Sequence, residues 1–298
     1  MVGRNFIEHG NSKKHEIVAP NRKQLDLLDS GAVSCFIEHE KPDCVVHCAG
    51  LVGGIQANIR RPIDFLVENF VMGKNVMLGA KSVGVRKVIN LGSSCMYPHD
   101  APNPLSEEIL GTGQLEPTNE GYGMAKLAVS NLCKYIDNET VVDERKFKTL
   151  IPSNLYGLYD KFDPAVSHLV PAVIHKLHVA KRDKLDHVEI WGDGEARREF
   201  MYAGDAADAI WFSLDNINNI PGQLNVGLNH DFSIREIYEV AAAVIGYKGK
   251  FVYDLTKPVG MRQKLLDSTK IFDLGWKPRI SLELGVKKTY QHYLNLGI

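Results

Sequence analysis

The 298-residue chain predicts an α/β fold, a parallel sheet covered by helices with a smaller α/β lobe after it. Three observations predict it. Short β-branched runs alternate with longer stretches of helical periodicity. The length suits one large domain or two smaller ones, and 44% apolar residues can fill a core of that size. No internal repeat or low-complexity linker interrupts the alternation.

"HEIVAP", "DCVVHCAG", "KVINLGSS" and "KTLIPSNLYG" are nearly continuous apolar runs, as strands buried on both faces require. "DSGAVSCFIEHEKP" sets Ala32, Val33, Phe36 and Ile37 on one helical face and stops before Pro42. "RPIDFLVENFVMGKNVMLGAKSVGV" carries proline in its first turn and runs as a long helix to Gly84. A further helix spans Thr118 to about Asn138. Beyond residue 160, "SHLVPAVIHKLHVAKRDKL" predicts a helix broken or begun at Pro171. "VEIWGDGEARREFMY" predicts a hairpin, and "SIREIYEVAAAVIG" opens with a capping box from Ser233 to Glu236. "SLELGVKKTYQHYL" predicts the last helix. Residues 1–160 are expected to form a nucleotide-binding domain to which 200–228 returns, and 161–298 mainly a substrate lobe.

Charge excludes some partners. Lys plus Arg is 35 against 36 Asp plus Glu, so no global field favours nucleic acid or a membrane surface. An anionic ligand must be held by a few local cations. No stretch is apolar and long enough to span a bilayer, and the start has no signal-peptide core. Five cysteines (Cys35, Cys44, Cys48, Cys95, Cys133) without C-x-x-C spacing argue against a disulfide framework or a zinc site. Cys44 and Cys48 are expected inside a buried strand. A soluble, cytoplasmic protein is expected.

The chemistry gathers in two places. Tyr122 and Lys126 in "YGMAK" are four apart on a predicted helix, so both project from one face. An ammonium beside a phenol favours phenolate, making tyrosine a proton carrier near neutral pH. Alone, that spacing more often means a surface tyrosine and a solvated lysine. In "INLGSSCMYP", however, Ser93, Ser94 and Cys95 follow a strand end, where open α/β sheets collect ligands. There the Ser93 hydroxyl can bond a substrate carbonyl beside the tyrosine. A cysteine at such a place is otherwise commonly apolar filling. After "HEIVAP", where an acidic residue would grip the ribose of NAD, stand Arg22 and Lys23. These suit a 2'-phosphate, hence NADP(H), although a solvated basic turn would look the same.

Serine at a strand end followed by Y-x-x-x-K resembles the short-chain dehydrogenase/reductases, and the long tail their extended branch. With Cys95, "VGGIQAN" (Val52–Asn58), "LEPTNEGYGMAK", "PSNLYG" and "WGDGEARREF", the chain resembles the GDP-L-fucose synthase family from Met1 to about Leu294. The resemblance implies a Rossmann-type sheet, NADP(H), a homodimer, and 3,5-epimerisation followed by 4-reduction of a GDP-4-keto-6-deoxy-sugar. It implies Cys95 as base and His168, in "SHLVP", as acid on the opposite face of the ring. Ser93 and Tyr122 would hold the oxyanion at carbon 4, and Lys126 would bond the nicotinamide ribose. Ser94 is given no catalytic role. Leu91, Gly92, Ser93, Ser94, Pro152, Ser153, Asn154, Leu155 and His168 would wall the cofactor; Lys176, Trp191 and Arg198 would hold the GDP-sugar. The helices from Pro62 and from Thr118 would supply the dimer interface.

Two departures stand out. The family opens with a central strand and a G-x-x-G-x-x-G loop that lays N–H groups on the pyrophosphate. This chain opens Met1-Val2-Gly3, matching only the last glycine, so weak NADP(H) binding is expected of this form. A start assigned too late is the favoured account, ahead of a truncation or a natural short form. Val259 stands where many relatives carry an acidic residue, with Lys264 nearby as a candidate to compensate. Competing readings are another nucleotide-sugar epimerase or dehydratase of the family, and a catalytically inactive scaffold. Cys95 with His168 opposes the first, and retention of all five catalytic residues opposes the second.

Overall fold

The computed structural model describes residues 1–139, 145–163, 167–257 and 259–297. Helices are α1 (Val2–Glu8), α2 (Ser30–Glu40), α3 (Ile55–Arg60), α4 (Pro62–Val83), α5 (Glu120–Glu139), α6 (Leu169–Arg182), α7 (Ala203–Asp215), α8 (Ile234–Ile245), α9 (Thr269–Asp273) and α10 (Leu282–Asn295). Strands are β1 (Cys44–His47), β2 (Lys87–Leu91), β3 (Lys146–Pro152), β4 (Asn154–Tyr156), β5 (His187–Trp191), β6 (Arg197–Arg198), β7 (Phe200–Tyr202), β8 (Gln223–Val226), β9 (Phe232–Ser233), β10 (Lys250–Asp254) and β11 (Gln263–Lys264).

The main sheet is wholly parallel in the order β1-β2-β3-β8. Alternate strand residues feed opposite faces, as a two-residue period demands. Val88 and Phe147 pack with Val33, Val76 and Val129 of α2, α4 and α5. Ile89, Leu91, Leu150 and Leu224 pack on the other side with Phe6 of α1 and Ile210 and Trp211 of α7. Phe6 stacks on Trp211 with ring centroids 4.3 Å apart. Helices on both faces leave the carboxyl ends of the strands as the open edge where a site can form.

A second core fills the later lobe: α6, α8 and α10 close around Ile174, Leu177, Val188, Ile190, Ile237 and Val286. The capping box forms as the sequence predicts, with Glu236 N–H on the Ser233 hydroxyl and the Glu236 carboxylate on Ser233 N–H. Gly84 ends α4 in the left-handed conformation, at φ 83°. Helix α6 begins at Leu169, so Pro171 lies in its first turn, where its missing N–H costs nothing.

Three expectations fail. Residues 187–202 are not a hairpin: β5 pairs in parallel with β10, β6 lies between β11 and β9, and β7 pairs with β4. The glycines of "WGDG" redirect the chain between sheets instead of folding it back, with Gly192 and Gly194 at φ 74° and 78°. "HEIVAP" forms no strand: residues 16–20 carry no regular structure. Among the described residues β1 is accordingly an edge, with Cys44 exposed at its start rather than buried.

Candidate active site

The predicted reductase set assembles where β2 meets α5. Ser93 leaves β2 in an extended conformation (φ −160°) and caps the short 3-10 turn Ser94–Met96, its hydroxyl accepting from Cys95 N–H at 3.2 Å. Two glycines let α5 approach. At Gly123 a Cβ would stand 2.5 Å from the Cys95 carbonyl oxygen, and at Gly121 one would stand 2.7 Å from that of Pro62. Only glycine tolerates such contacts, and they seat Tyr122, between the two, beside Cys95.

The Tyr122 hydroxyl lies close enough to Ser93 for the serine to favour its ionised form. Burial, then the neighbouring Cys95 charge, pushes the phenol well above its ordinary range, and Ser93 offsets only part of this. Lys126, on the same face of α5, has its own partner. Its ammonium lies 5.8 Å from the Tyr122 ring centroid and bonds the Leu91 carbonyl at 2.9 Å. Burial lowers Lys126 to about 8. Desolvation thus acts on Tyr122 in the sense opposite to the lowering that a nearby ammonium would give.

Cys95 Sγ is half-buried and has two N–H neighbours. Asn119 Nδ2 donates to it at 3.3 Å, and Lys264 Nζ stands 3.8 Å away. The Arg198 guanidinium also feels the charge of Cys95, after that of Glu116, while burial lowers its own pKa. Its Nη1 donates to the Arg197 carbonyl at 2.7 Å and its Nη2 to the Val259 carbonyl at 3.1 Å. Arg198 and Lys264 are paired across β6 and β11.

His168 caps the start of α6 and is half-buried; burial, then Lys161, lowers its pKa below the ordinary histidine value. Helix α3 connects its neighbourhood with that of Cys95. A Cβ on Gly54, which caps α3, would lie 3.1 Å from the Ser167 carbonyl, and α3 packs against the 3-10 turn Pro117–Asn119. Lys176 and Trp191 meet elsewhere, on Glu189: Lys176 bonds its carbonyl, and Trp191 Nε1 donates to its carboxylate at 3.1 Å. Half of Trp191 faces solvent. Val259 packs so tightly on Gly192 that a Cβ there would meet it at 2.1 Å.

The proposed cofactor wall lies along the ends of β2 and β3. Leu91, Pro152 and Leu155 border a small apolar cavity of about 10 Å³ with Val2, Leu150 and Val226, continuous with the core between the sheet and α7. Ser94 is buried, Gly92 N–H bonds the Leu150 carbonyl at 2.8 Å, and Asn154 is tied to the Glu199 carbonyl by both its amides. Ser153 Oγ is buried with no hydrogen-bond partner, as are Asn119 Oδ1 and Ser167 Oγ. The orphaned Ser153 hydroxyl at the end of β3 is what a polar ligand would satisfy, so this part of the wall suits a dinucleotide. Gly3 lies in α1, where a Cβ would contact Cys48 at 3.6 Å. Arg22 and Lys23 are exposed on a turn held by Asn21, and neither enters an ion pair among the described residues. No cluster of His, Cys, Asp or Glu that could hold a metal occurs among the described residues, and no helix there is long and apolar enough to cross a membrane.

Sequence reasoning missed Asn119 and the true partner of Lys264. Asn119 could have been found from its place three residues before Tyr122. Lys264 could not, because 169 residues separate it from Cys95.

Over 295 residues the chain is 51% identical to GDP-L-colitose synthase of Yersinia pseudotuberculosis, covering 99% of this chain and 95% of the relative. It is 48% identical to GDP-L-fucose synthase of Azorhizobium caulinodans, covering 99% and 93%. The GDP-mannoheptose C4 reductase of Campylobacter jejuni, solved with NADP bound, superposes with a TM-score of 0.88 at 32% identity, covering 98% of this chain and 95% of that one. Residues 1–227 match the NAD dependent epimerase/dehydratase family, and the chain belongs to that family.

Proposed function

We propose that this chain is an NADP(H)-dependent GDP-sugar epimerase and 4-reductase that forms GDP-L-fucose from GDP-4-keto-6-deoxy-D-mannose. The observation carrying this reading is Cys95, an ionisable sulfur in electrostatic contact with Tyr122 of the Ser93–Tyr122–Lys126 set. A reductase alone needs no such group, whereas an epimerase needs a base.

The ketone at carbon 4 acidifies the C–H bonds at carbons 3 and 5. Cys95 takes such a proton on one face, the electron pair moves to the carbonyl oxygen, and His168 returns a proton on the other face. Ser93 and Tyr122 donate hydrogen bonds to the oxyanion meanwhile. NADPH, when bound, supplies the hydride for carbon 4. Tyr122 then protonates the alkoxide, and Lys126 anchors the ribose beside it. Lys176, Trp191 and Arg198 bind the nucleotide diphosphate; Arg22 and Lys23 face the cofactor's 2'-phosphate. The cofactor-binding part is 1–160 with 200–228, and the rest is mainly the substrate lobe.

The similarity to the colitose enzyme favours a second reading on the same machinery. Colitose lacks the 3-hydroxyl of fucose, so inversion at carbon 5 alone would suffice. The deciding experiment supplies NADPH with GDP-4-keto-6-deoxy-D-mannose or its 3-deoxy analogue. GDP-fucose as the faster product supports the first reading, and faster turnover of the analogue supports the second. Reduction of either sugar without exchange of ring protons would overturn both.

A further inference from the structure

Lys264 is the unexplained charge of the site. Among the described residues three lysines are nine-tenths buried: Lys126, Lys148 and Lys264. Lys148 pairs with the Asp137 carboxylate at 2.8 Å, and Lys126 bonds the Leu91 carbonyl at 2.9 Å. Lys264 has no carboxylate within ion-pair distance among the described residues; its hydrogen-bonding neighbour is Cys95 Sγ at 3.8 Å. A buried ammonium without a counterion is costly, so a site that keeps one holds it for a charge that forms there.

The strand pattern fixes its direction. β11 pairs in parallel with β6, Gln263 opposite Arg197 and Lys264 opposite Arg198. Gln263 and Arg197 turn to one face, where both bond the Asp231 carboxylate, at 2.6 and 2.7 Å. Lys264 and Arg198 therefore share the other face, toward Cys95. The backbone leaves little play: Asn103 bonds the Gln263 carbonyl and Leu265 N–H, and Glu199 takes Leu266 N–H at 3.0 Å.

We propose that Lys264 is a positioning residue for Cys95, the counterion of its sulfur once the proton has left, with Asn119 as the second donor. The bond broken is S–H, the proton passes to solvent, and the anion formed is held by the ammonium's charge and one N–H bond. The sulfur's other charged or titratable neighbours are Arg198 of β6 and Tyr122 of α5, with Glu116 acting on Arg198. Lys264 thus serves the epimerase half of the site. The inference rests on Cys95 as the epimerase base only for its meaning in turnover.

Alkylation by iodoacetamide tests it on the full chain without sugar. Peptide mass spectrometry follows Cys95, with exposed Cys35 and Cys44 as internal references. Lys264→Met, close in shape, is expected to slow Cys95 alkylation about tenfold at neutral pH, because the thiolate is the nucleophile. Its rate profile should move to higher pH, while Cys35 and Cys44 react as before. Lys264→Arg should recover most of the rate, and being charged it serves if the methionine variant fails to fold. Equal rates in wild type and Lys264→Met, or an arginine variant as slow as methionine, would overturn the proposal. A changed KM for the sugar with unchanged alkylation would also overturn it, assigning Lys264 to a substrate oxygen. Slower alkylation with undiminished solvent-deuterium exchange at the sugar carbons would leave the pair standing and remove Cys95 from epimerisation instead.

Discussion

The ammonium of Lys126 hydrogen-bonds the carbonyl of Leu91 at 2.9 Å, tying the second turn of α5 to the last residue of β2. This bond sets the distance between the strand end that carries Ser93 and the helix that carries Tyr122. It also places a charge in a buried site, and burial lowers that lysine from 10.5 to about 8.

Lys126→Met should therefore damage chemistry far more than folding. The shift from 10.5 to about 8 corresponds to roughly 3 kcal/mol of unfavourable burial of the charge. Orphaning the Leu91 carbonyl costs about 1–3 kcal/mol in the other direction. At pH 7 the variant should lie within about 2 kcal/mol of wild type, while 4-reduction falls roughly a hundredfold, because the ribose loses its anchor and the strand end its tie to α5. The sign with pH follows. Between about 8 and 10.5 the unfolded chain binds more protons than the native one, so wild-type stability gains on the methionine variant as pH rises. Denaturant titrations at pH 7 and pH 10 check it.

Glu199 offers the opposite slope. Its carboxylate takes the N–H groups of Leu228, Asn229 and Leu266, and Gly227 packs so closely on it that a Cβ would lie 2.3 Å from Oε1. Burial nevertheless raises it from 4.5 to about 7. Between those values the native chain holds a proton that the unfolded chain releases, so stability falls by roughly 3 kcal/mol as pH rises through the window. Glu199→Gln cannot titrate and should flatten the curve by about that amount. Equal slopes in the two proteins would mean that Glu199 stays ionised in the fold.

Part of the sheet was legible: burial on both faces forces the continuous apolar runs of β2 and β3, the edge strand β1 carries one too, and β8, only four residues long with two of them polar, left no such run. Helix ends were legible where a local device marks them, as Gly84 and the Ser233–Glu236 box do. The three partners of β5, β6 and β7 were not, because pairing with β10, β11 and β4 depends on residues up to 66 positions away and leaves no local trace. In the site, Ser93, Cys95, Tyr122 and Lys126 could be found from strand-end position and helical spacing. The weight of desolvation on Tyr122 and Lys126 could not, since it is a property of what packs around them. Lys264 reaches Cys95 only through the fold.

Helix α4 carries a stripe that the monomer leaves wet. Ile63, Leu66, Val67 and Phe70, at helical spacing, are 73%, 40%, 48% and 38% exposed, and Met124 on neighbouring α5 is 48% exposed. A contiguous apolar face of this kind marks an interface, and a second copy of the same face is the symmetric way to cover it. The protein is expected to sediment as a dimer, and Leu66→Asp with Phe70→Asp to shift it to monomer. A monomeric wild type at micromolar concentration would remove the homodimer from the account.

Cys95→Ser and His168→Gln separate the two halves of the reaction. A serine hydroxyl is too weak a base for a ring C–H, so Cys95→Ser should lose solvent-deuterium incorporation at the carbons beside the ketone by a hundredfold or more, the scale of general-base catalysis. Supplied with the already epimerised keto-sugar, it should still reduce carbon 4, because Ser93, Tyr122 and Lys126 are intact. His168 adds a pH signature. Burial lowers its pKa, so the protonated imidazole that an acid must present is lost as pH rises through a value below the ordinary 6.5. Proton return should decline along that limb in wild type, and His168→Gln should be slow and flat across it. If both variants exchange ring protons at the wild-type rate, the sulfur and the imidazole are bystanders and the inversion belongs to other groups.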